Sequence, residues 1–240
     1  MKKKISVLIV DGKEYTITDE NKFVQGRTKR RTIDEFKEKK GKSIPILVVP
    51  PDYYEEGAVY GFSNEANHKE WLIENKLHKN YDREQKMLEK ARRDLLPEES
   101  ERINKEVKEA TEKFGKFLKE HNLKANEIEK IEKLRDDPYF SGPFHSVILY
   151  NMLYYDPSGS YIVLPGYPSP CQKYYKDLRN YGFNDKTSSF YLKCSEKVRL
   201  FDAINYGGAE LVSYDSRANL SDFWFWFGFW NNRISSVIVY

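Results

Sequence analysis

The feature that most constrains this chain is an internal repeat near its C-terminal end. The run Phe183-Asn184-Asp185-Lys186-Thr187-Ser188-Ser189-Phe190-Tyr191-Leu192 is echoed by Trp230-Asn231-Asn232-Arg233-Ile234-Ser235-Ser236-Val237-Ile238-Val239. Each copy reads aromatic, two Asn/Asp, two variable residues, two Ser, then a β-type run. Upstream of the two copies lies a second echo, Tyr150-Asn151-Met152-Leu153-Tyr154-Tyr155-Asp156-Pro157-Ser158-Gly159 against Phe201-Asp202-Ala203-Ile204-Asn205-Tyr206-Gly207-Gly208. Both have an aromatic residue, a second aromatic five positions on, and glycine in a turn that is tighter in the second copy. A repeated segment is one structural unit used twice, and neighbouring copies bury their apolar faces against each other. Asn-Asp and Ser-Ser are also ordinary turn residues ahead of strands. Their recurrence in the same order within one β-rich segment argues for more than turn chemistry.

Around the repeat, short β-branched and aromatic runs alternate with Gly, Pro, Asn and Asp: Val147–Tyr150, Tyr161–Leu164, Ser189–Leu192, Val198–Phe201 and Val237–Tyr240. Several short strands so closely spaced predict an all-β sandwich over residues 145–240. The paired (Asn/Asp)-(Asn/Asp)-x-x-Ser-Ser stretches, each behind an aromatic hairpin, resemble the two Greek-key motifs of a microbial βγ-crystallin, a calcium-binding double Greek-key domain. The resemblance covers residues 145–240 and does not extend to the N-terminal part.

That resemblance implies a bacterial calcium-binding protein, structural or stress-related, with two Ca²⁺ ions. The residue types suit the ion, because calcium takes about six to eight oxygens from carboxylates, carbonyls, hydroxyls and water. Asn184 or Asp185, the Lys186 carbonyl and the Ser188 hydroxyl offer oxygens on one short arc; Asn231 or Asn232, the Arg233 carbonyl and Ser235 offer them on the other. In the family each arc serves both sites, and a backbone carbonyl from the opposite hairpin helps. By resemblance those carbonyls belong to Asn151 and Asp202. Of the four paired positions only Asp185 is anionic, so dissociation constants on the order of 10⁻⁵ to 10⁻³ M are expected.

The two copies differ in one respect. Leu178 is followed by Arg179-Asn180-Tyr181-Gly182-Phe183 before Asn184, whereas Leu220 is followed by Ser221-Asp222-Phe223-Trp224-Phe225-Trp226-Phe227-Gly228-Phe229-Trp230 before Asn231. A crystallin core does not need so many aromatics there. Three uses stay open: packing on the N-terminal part, exposure as a contact loop for a protein, glycan or membrane surface, and self-association. Phe223, Trp224, Phe225, Trp226, Phe227, Phe229 and Trp230 are the candidate contact residues. A target-binding protein of protease-inhibitor or toxin-like type is the alternative function such a loop supports.

Residues 1–76 read as a small α+β unit. Ile5–Val10 turns at Asp11-Gly12 into a second strand, Ile46–Val49 and Ala58–Phe62 follow, and Ser63 caps a helix through Trp71 and Leu72. Residues 77–140 are a charged helical segment, predicted to pack as a hairpin on that unit or on a partner chain. Pro97 with Glu98 and Glu99 starts its main helix, and Ile103, Val107, Ala110, Phe114, Phe117 and Leu118 form one apolar stripe. A preceding helix would bury Met87, Leu88, Ala91 and Leu95, and a following one Ile128, Ile131 and Leu134.

Forty basic residues against 37 acidic ones leave a net charge of +3, and the two signs are interspersed, so no nucleic acid is expected as a partner. The one local basic run, Arg27, Lys29, Arg30 and Arg31, reads as a solvated loop. No segment approaches the roughly 20 apolar residues of a membrane helix, and the N-terminus lacks a signal-peptide pattern, so the cytoplasm is the expected compartment. Cys171 and Cys194 read as free thiols, with a bridge between them open. His68, His78, His121 and His145 lie far apart and read as surface or capping residues. Without a catalytic constellation, the expectation is a binder and not an enzyme.

Overall fold

The computed structural model describes residues 7–17, 23–25, 29–30, 46–49, 58–78, 81–93, 96–125, 127, 130–131, 146–156, 158–166, 172–193, 195, 197–222, 224–225 and 228–240. Cys171, Cys194, His145, Leu95, Ile128 and Leu134 lie outside them. β1 (Val7–Val10) and β2 (Lys13–Ile17) form the expected hairpin, with Val10 opposite Lys13. Asp11 and Gly12 between them sit at φ 44° and 75°, the positive values that let a two-residue turn follow the twist of its strands. β3 (Phe23–Gln25) and β4 (Lys29–Arg30) extend that side. β6 (Ala58–Phe62) joins β1 in parallel and pairs antiparallel with β5 (Ile46–Val49).

The C-terminal region holds two interlocked Greek keys. The first consists of β7 (Ser146–Tyr150), β8 (Tyr161–Pro165), β9 (Lys173–Tyr175) and β10 (Ser189–Lys193). β10, β7 and β8 make a three-stranded sheet in that order, while β9 crosses to pair with β15 (Ser236–Val239) of the second key. The second key places β12 (Gly207–Ser213), β11 (Val198–Ala203) and β15 side by side. It returns the exchange through Arg217, which bridges Phe190 on β10. Each key thus lends a strand position to the other's sheet. Between the sheets lies one apolar core in which Val147, Leu164, Leu178, Phe190, Leu211 and Trp230 are fully buried.

β5 runs parallel to β12, with Leu47 opposite Leu211, so the N-terminal strands continue the second Greek-key sheet into a ten-stranded one. β5 and β12 thus form a hydrogen-bonded strand pair that covers an edge of the second Greek-key sheet which would otherwise stand open.

The helices complete the layers. α1 (Glu65–Glu74) is capped by Asn64, whose side chain accepts from Asn67 N, and not by Ser63, whose own N–H donates to Asp11 Oδ1 at 3.1 Å. α2 (Tyr81–Ala91) and α3 (Pro97–Glu120) cover the β-region itself, one on each outer face. Phe114, Phe117 and Leu118 of α3 lie on Ile148, Tyr150 and Val163, and Thr111 Oγ1 accepts from Val163 N at 3.0 Å. Leu88 of α2 lies on Phe201, Tyr206, Ile238 and Tyr240. The sequence predicted packing on the first unit or on a partner chain; these two helices cover strands of residues 146–240. β7 and β15 are buried at every position, so their outward residues need a cover as much as their inward ones, and amphipathic helices supply it. Ile131, beyond α3, is also fully buried.

His68 departs from the surface role expected of it. It is 5% exposed, tilted against Phe62 and edge-on to Tyr81 with ring centroids at 5.1 and 5.7 Å. His121 is the C-cap residue of α3, and His78 is exposed. Among the described residues no helix is long and apolar enough to cross a membrane.

Candidate metal centre

The two repeated loops face each other across the same end of the sandwich and hold each other by their backbones. Asp185 N donates to Ile234 O (3.0 Å), and Asn232 N donates to Thr187 O (2.9 Å). Asp185 and Asn232 both sit at positive φ, 52° and 57°, a region that Asn and Asp tolerate better than most side chains. Behind each loop the second serine of the pair is a structural clamp. Ser189 Oγ donates to Met152 O (2.7 Å) and accepts from Tyr155 N (3.2 Å); Ser236 Oγ donates to Ala203 O (2.7 Å) and accepts from Tyr206 N (3.0 Å). The aromatic hairpins are in this way pinned to the loops at equivalent points.

The first serines define two oxygen clusters. Ser188 Oγ lies 3.0 Å from the Asn151 carbonyl and 3.0 Å from Asn232 Oδ1. Ser235 Oγ lies 3.1 Å from the Asp202 carbonyl and 3.0 Å from Asp185 Oδ1. In both, two acceptor oxygens crowd about a hydroxyl that has a single proton to donate. Each cluster draws its serine from one loop, its Asn/Asp from the other, and its carbonyl from a hairpin. Ser188 and Ser235 are buried, while Asp185 and Asn232 reach the surface, so both clusters open to solvent through the second Asn/Asp.

The first positions of the loops, Asn184 and Asn231, each hold a buried Oδ1 with no hydrogen-bond partner. Asn184 Nδ2 donates to Asp185 Oδ2 at 2.5 Å, which steadies that carboxylate. At the third positions, Lys186 Nζ is tied to Gly182 O (2.7 Å), and the Arg233 charge acts on Asp202. Burial raises the Asp202 carboxyl above the usual carboxylate range, opposed by the N–H of Ala209 and by Arg233, and Asp185 adds to the rise. Gly159 and Gly208 close the two hairpins where a Cβ would run into Asn151 Oδ1 and Asp202 Oδ1 respectively, so both turns require glycine.

Of the sequence-predicted ligands, the structure brings together Asn151, Ser188 and Asn232 in one cluster and Asp202, Ser235 and Asp185 in the other. Among the described residues no three His, Cys, Asp or Glu side chains converge. The donors that do converge are neutral oxygens and one carboxylate, a set suited to a hard cation.

The aromatic insertion is described only in part. The backbones of β13 (Trp224–Phe225) and β14 (Gly228–Phe229) pair antiparallel, with Trp224 opposite Phe229. Phe223, Trp226 and Phe227 lie outside the described residues. Trp230 is fully buried in the sandwich core and is no contact residue, because it fills the core position that Phe183 fills in the first copy. Sequence reasoning also missed Lys197, Arg199, Glu210 and Glu84, which form a buried charge cluster beside His68. Alternation of Lys197 and Arg199 with Val198 and Leu200 reads as a solvated strand face until α1 and α2 are known to cover it.

No protein-family model matches the chain, and no curated protein matches it. The solved structures it is similar to are βγ-crystallin domains. One from Ciona intestinalis is 24% identical over 38% of this chain and 95% of its own, with a TM-score of 0.30. One from an archaeon is 23% identical over 40% of this chain and 98% of its own, at 0.31. One from Clostridium beijerinckii is 19% identical over 40% of this chain and 97% of its own, at 0.30.

Proposed function

We propose that residues 146–240 form a calcium-binding βγ-crystallin-type domain with two ions, one at each serine-centred cluster, and that the protein is a calcium-stabilised structural protein. The observation that carries this reading is the pair of equivalent oxygen clusters, backed by the two partnerless buried oxygens of Asn184 and Asn231. Oxygens about 3 Å apart have the spacing of neighbouring ligands on one calcium ion, whose bonds run about 2.3–2.6 Å. A bound cation would relieve the crowding of two acceptor oxygens about one hydroxyl. Asn151, Ser188 and Asn232 would hold one ion; Asp202, Ser235 and Asp185 the other.

The two sites should differ. The Asp185 carboxylate makes its cluster the tighter, and the neutral cluster the weaker. Because calcium binds only the folded arrangement, each site filled at about a hundredfold above its dissociation constant adds about 2.7 kcal/mol of stability. Calorimetric titration should therefore show two unequal binding events. Asp185→Asn should weaken the tighter one selectively, and Ser188→Ala with Ser235→Ala should abolish both. No heat at about 1 mM calcium with the unaltered protein, across the range expected for such sites, would refute the proposal.

A further inference from the structure

The two clusters are related by an internal repeat, so their differences stand out against a common frame. Around the Asp202–Ser235–Asp185 cluster, the hairpin positions that follow the ligating carbonyl are Ala203 and Asn205. Around the Asn151–Ser188–Asn232 cluster, the same positions are Met152 and Tyr154, which are 42% and 63% exposed. Among the described residues the other exposed large apolar side chains are Ile73 and Leu96, at the end of α1 and the start of α3. Tyr154 is held outward by local geometry. Tyr154 sits at φ 57° with its N–H donating to Ala218 O, and its hydroxyl lies 3.4 Å from Asn219 Nδ2.

The charge contrast runs in parallel. The Met152/Tyr154 cluster contains no carboxylate, only an amide oxygen, a hydroxyl and a main-chain carbonyl. The hairpin's own carboxylate, Asp156, is turned back onto Ser158 N at 2.8 Å. An ion held by three neutral oxygens keeps its double charge and has about three or more coordination positions left for outside oxygens. An anionic oxygen is the complement of that arrangement. With two exposed apolar side chains beside it, one a tyrosine with an apolar ring and a polar tip, the complement is an anionic interface whose interior is apolar. The aromatic insertion also ends in the chain directly before Asn231-Asn232, on the loop that supplies Asn232 to this cluster.

We propose that the Asn151–Ser188–Asn232 corner, with Met152 and Tyr154, is a calcium-dependent docking surface for membranes rich in anionic phospholipid. The lipid phosphate or carboxylate completes the ion's coordination, and the two side chains enter the interfacial layer. This inference rests on the calcium reading above. The carboxylate-bearing corner, flanked by Ala203 and Asn205, serves stability and takes no part in docking.

The test is co-sedimentation of the full chain with phosphatidylcholine vesicles, with and without phosphatidylserine, in about 1 mM calcium or in chelator, alongside calorimetry without vesicles. Retention is expected only with phosphatidylserine and calcium together. Met152→Ser with Tyr154→Ser should reduce it by about tenfold while leaving the calcium heats unchanged. Absence of calcium heat overturns the calcium reading and this one with it. Two unequal heats without retention on phosphatidylserine vesicles overturn the docking surface alone. Equal retention on phosphatidylcholine, or retention unmoved by the double variant, assigns membrane contact elsewhere and also overturns it.

Discussion

Replacing Glu210 with Ala is expected to destabilise the protein by about 3–5 kcal/mol, the range for stranding one partner of a buried ion pair. Arg199 is 5% exposed and Glu210 is 8% exposed, on neighbouring strands β11 and β12. Arg199 Nε and Nη2 donate to the two Glu210 oxygens at 2.5 and 3.1 Å, a two-pronged geometry that matches the planar guanidinium to the carboxylate. Burial works against the Arg199 charge, but Glu210 and Tyr240 more than offset it and hold that guanidinium well above its ordinary value. Without Glu210 the guanidinium remains, since it cannot shed its proton, and its surroundings stay poor in water. Urea denaturation should show the midpoint falling at unchanged slope. Replacing both residues together, Arg199→Met with Glu210→Leu, should recover most of the loss, because an apolar pair of similar volume carries no desolvation cost. Recovery would identify the ion pair as a specifying device and not a net source of stability. No loss for Glu210→Ala alone would mean that water reaches Arg199 freely.

The contrast between that charge cluster and the two repeated loops marks what a sequence makes legible. The loops were legible as a repeated unit because their pattern is local and duplicated. Six consecutive residues carry the side-chain oxygens of each loop, and the second copy repeats the pattern down to Ser188 and Ser235, while the Asn151 and Asp202 carbonyls come from the hairpins. The strands at Ile46–Val49 and Ala58–Phe62 were legible for a similar reason, as short apolar runs between turn residues. The charge cluster was not, because its members come from α2, from β11 and the residue before it, and from β12, and Glu84 meets Lys197 only through the packing of α2 on the sheet, at 2.8 Å. A lysine and an arginine on alternate strand positions are indistinguishable from a solvated face until something covers them. β9 and β12 were missed because Lys173–Tyr175 is short and polar at its start, and Gly207–Ser213 opens on two glycines. Their strand character comes from partners, β15 on one side and β11 with β5 on the other. Trp230 was misjudged because a run of aromatics hides which member continues the core register.

The same cluster makes the protein acid-sensitive through His68. Both ring nitrogens of His68 are buried without a hydrogen-bond partner, and burial lowers its pKa from 6.5 to about 4. The facing groups pull in both directions: Glu210 raises it, while Arg199 and Lys197 lower it. Glu84, paired with Lys197, together with Tyr81 and Tyr214 completes the ionisable lining of a cavity of about 10 Å³, room for about one water and no counter-ion. Because the folded value lies below the unfolded one, the neutral imidazole favours folding. That contribution is whole above about pH 6.5 and is lost as pH falls toward 4, where the imidazole must charge inside the cluster. The gap between 6.5 and about 4 corresponds to about 3 kcal/mol. His68→Leu keeps an apolar filling between Phe62 and Tyr81 and removes the titration. Carboxylates elsewhere contribute equally to both proteins, so the difference in unfolding free energy between them isolates the histidine. Between pH 7 and pH 4 the natural protein should lose about 3 kcal/mol more than the variant, with most of the change below pH 6. A difference that stays constant over that range would show that His68 is solvated, or has a proton acceptor, in the folded protein.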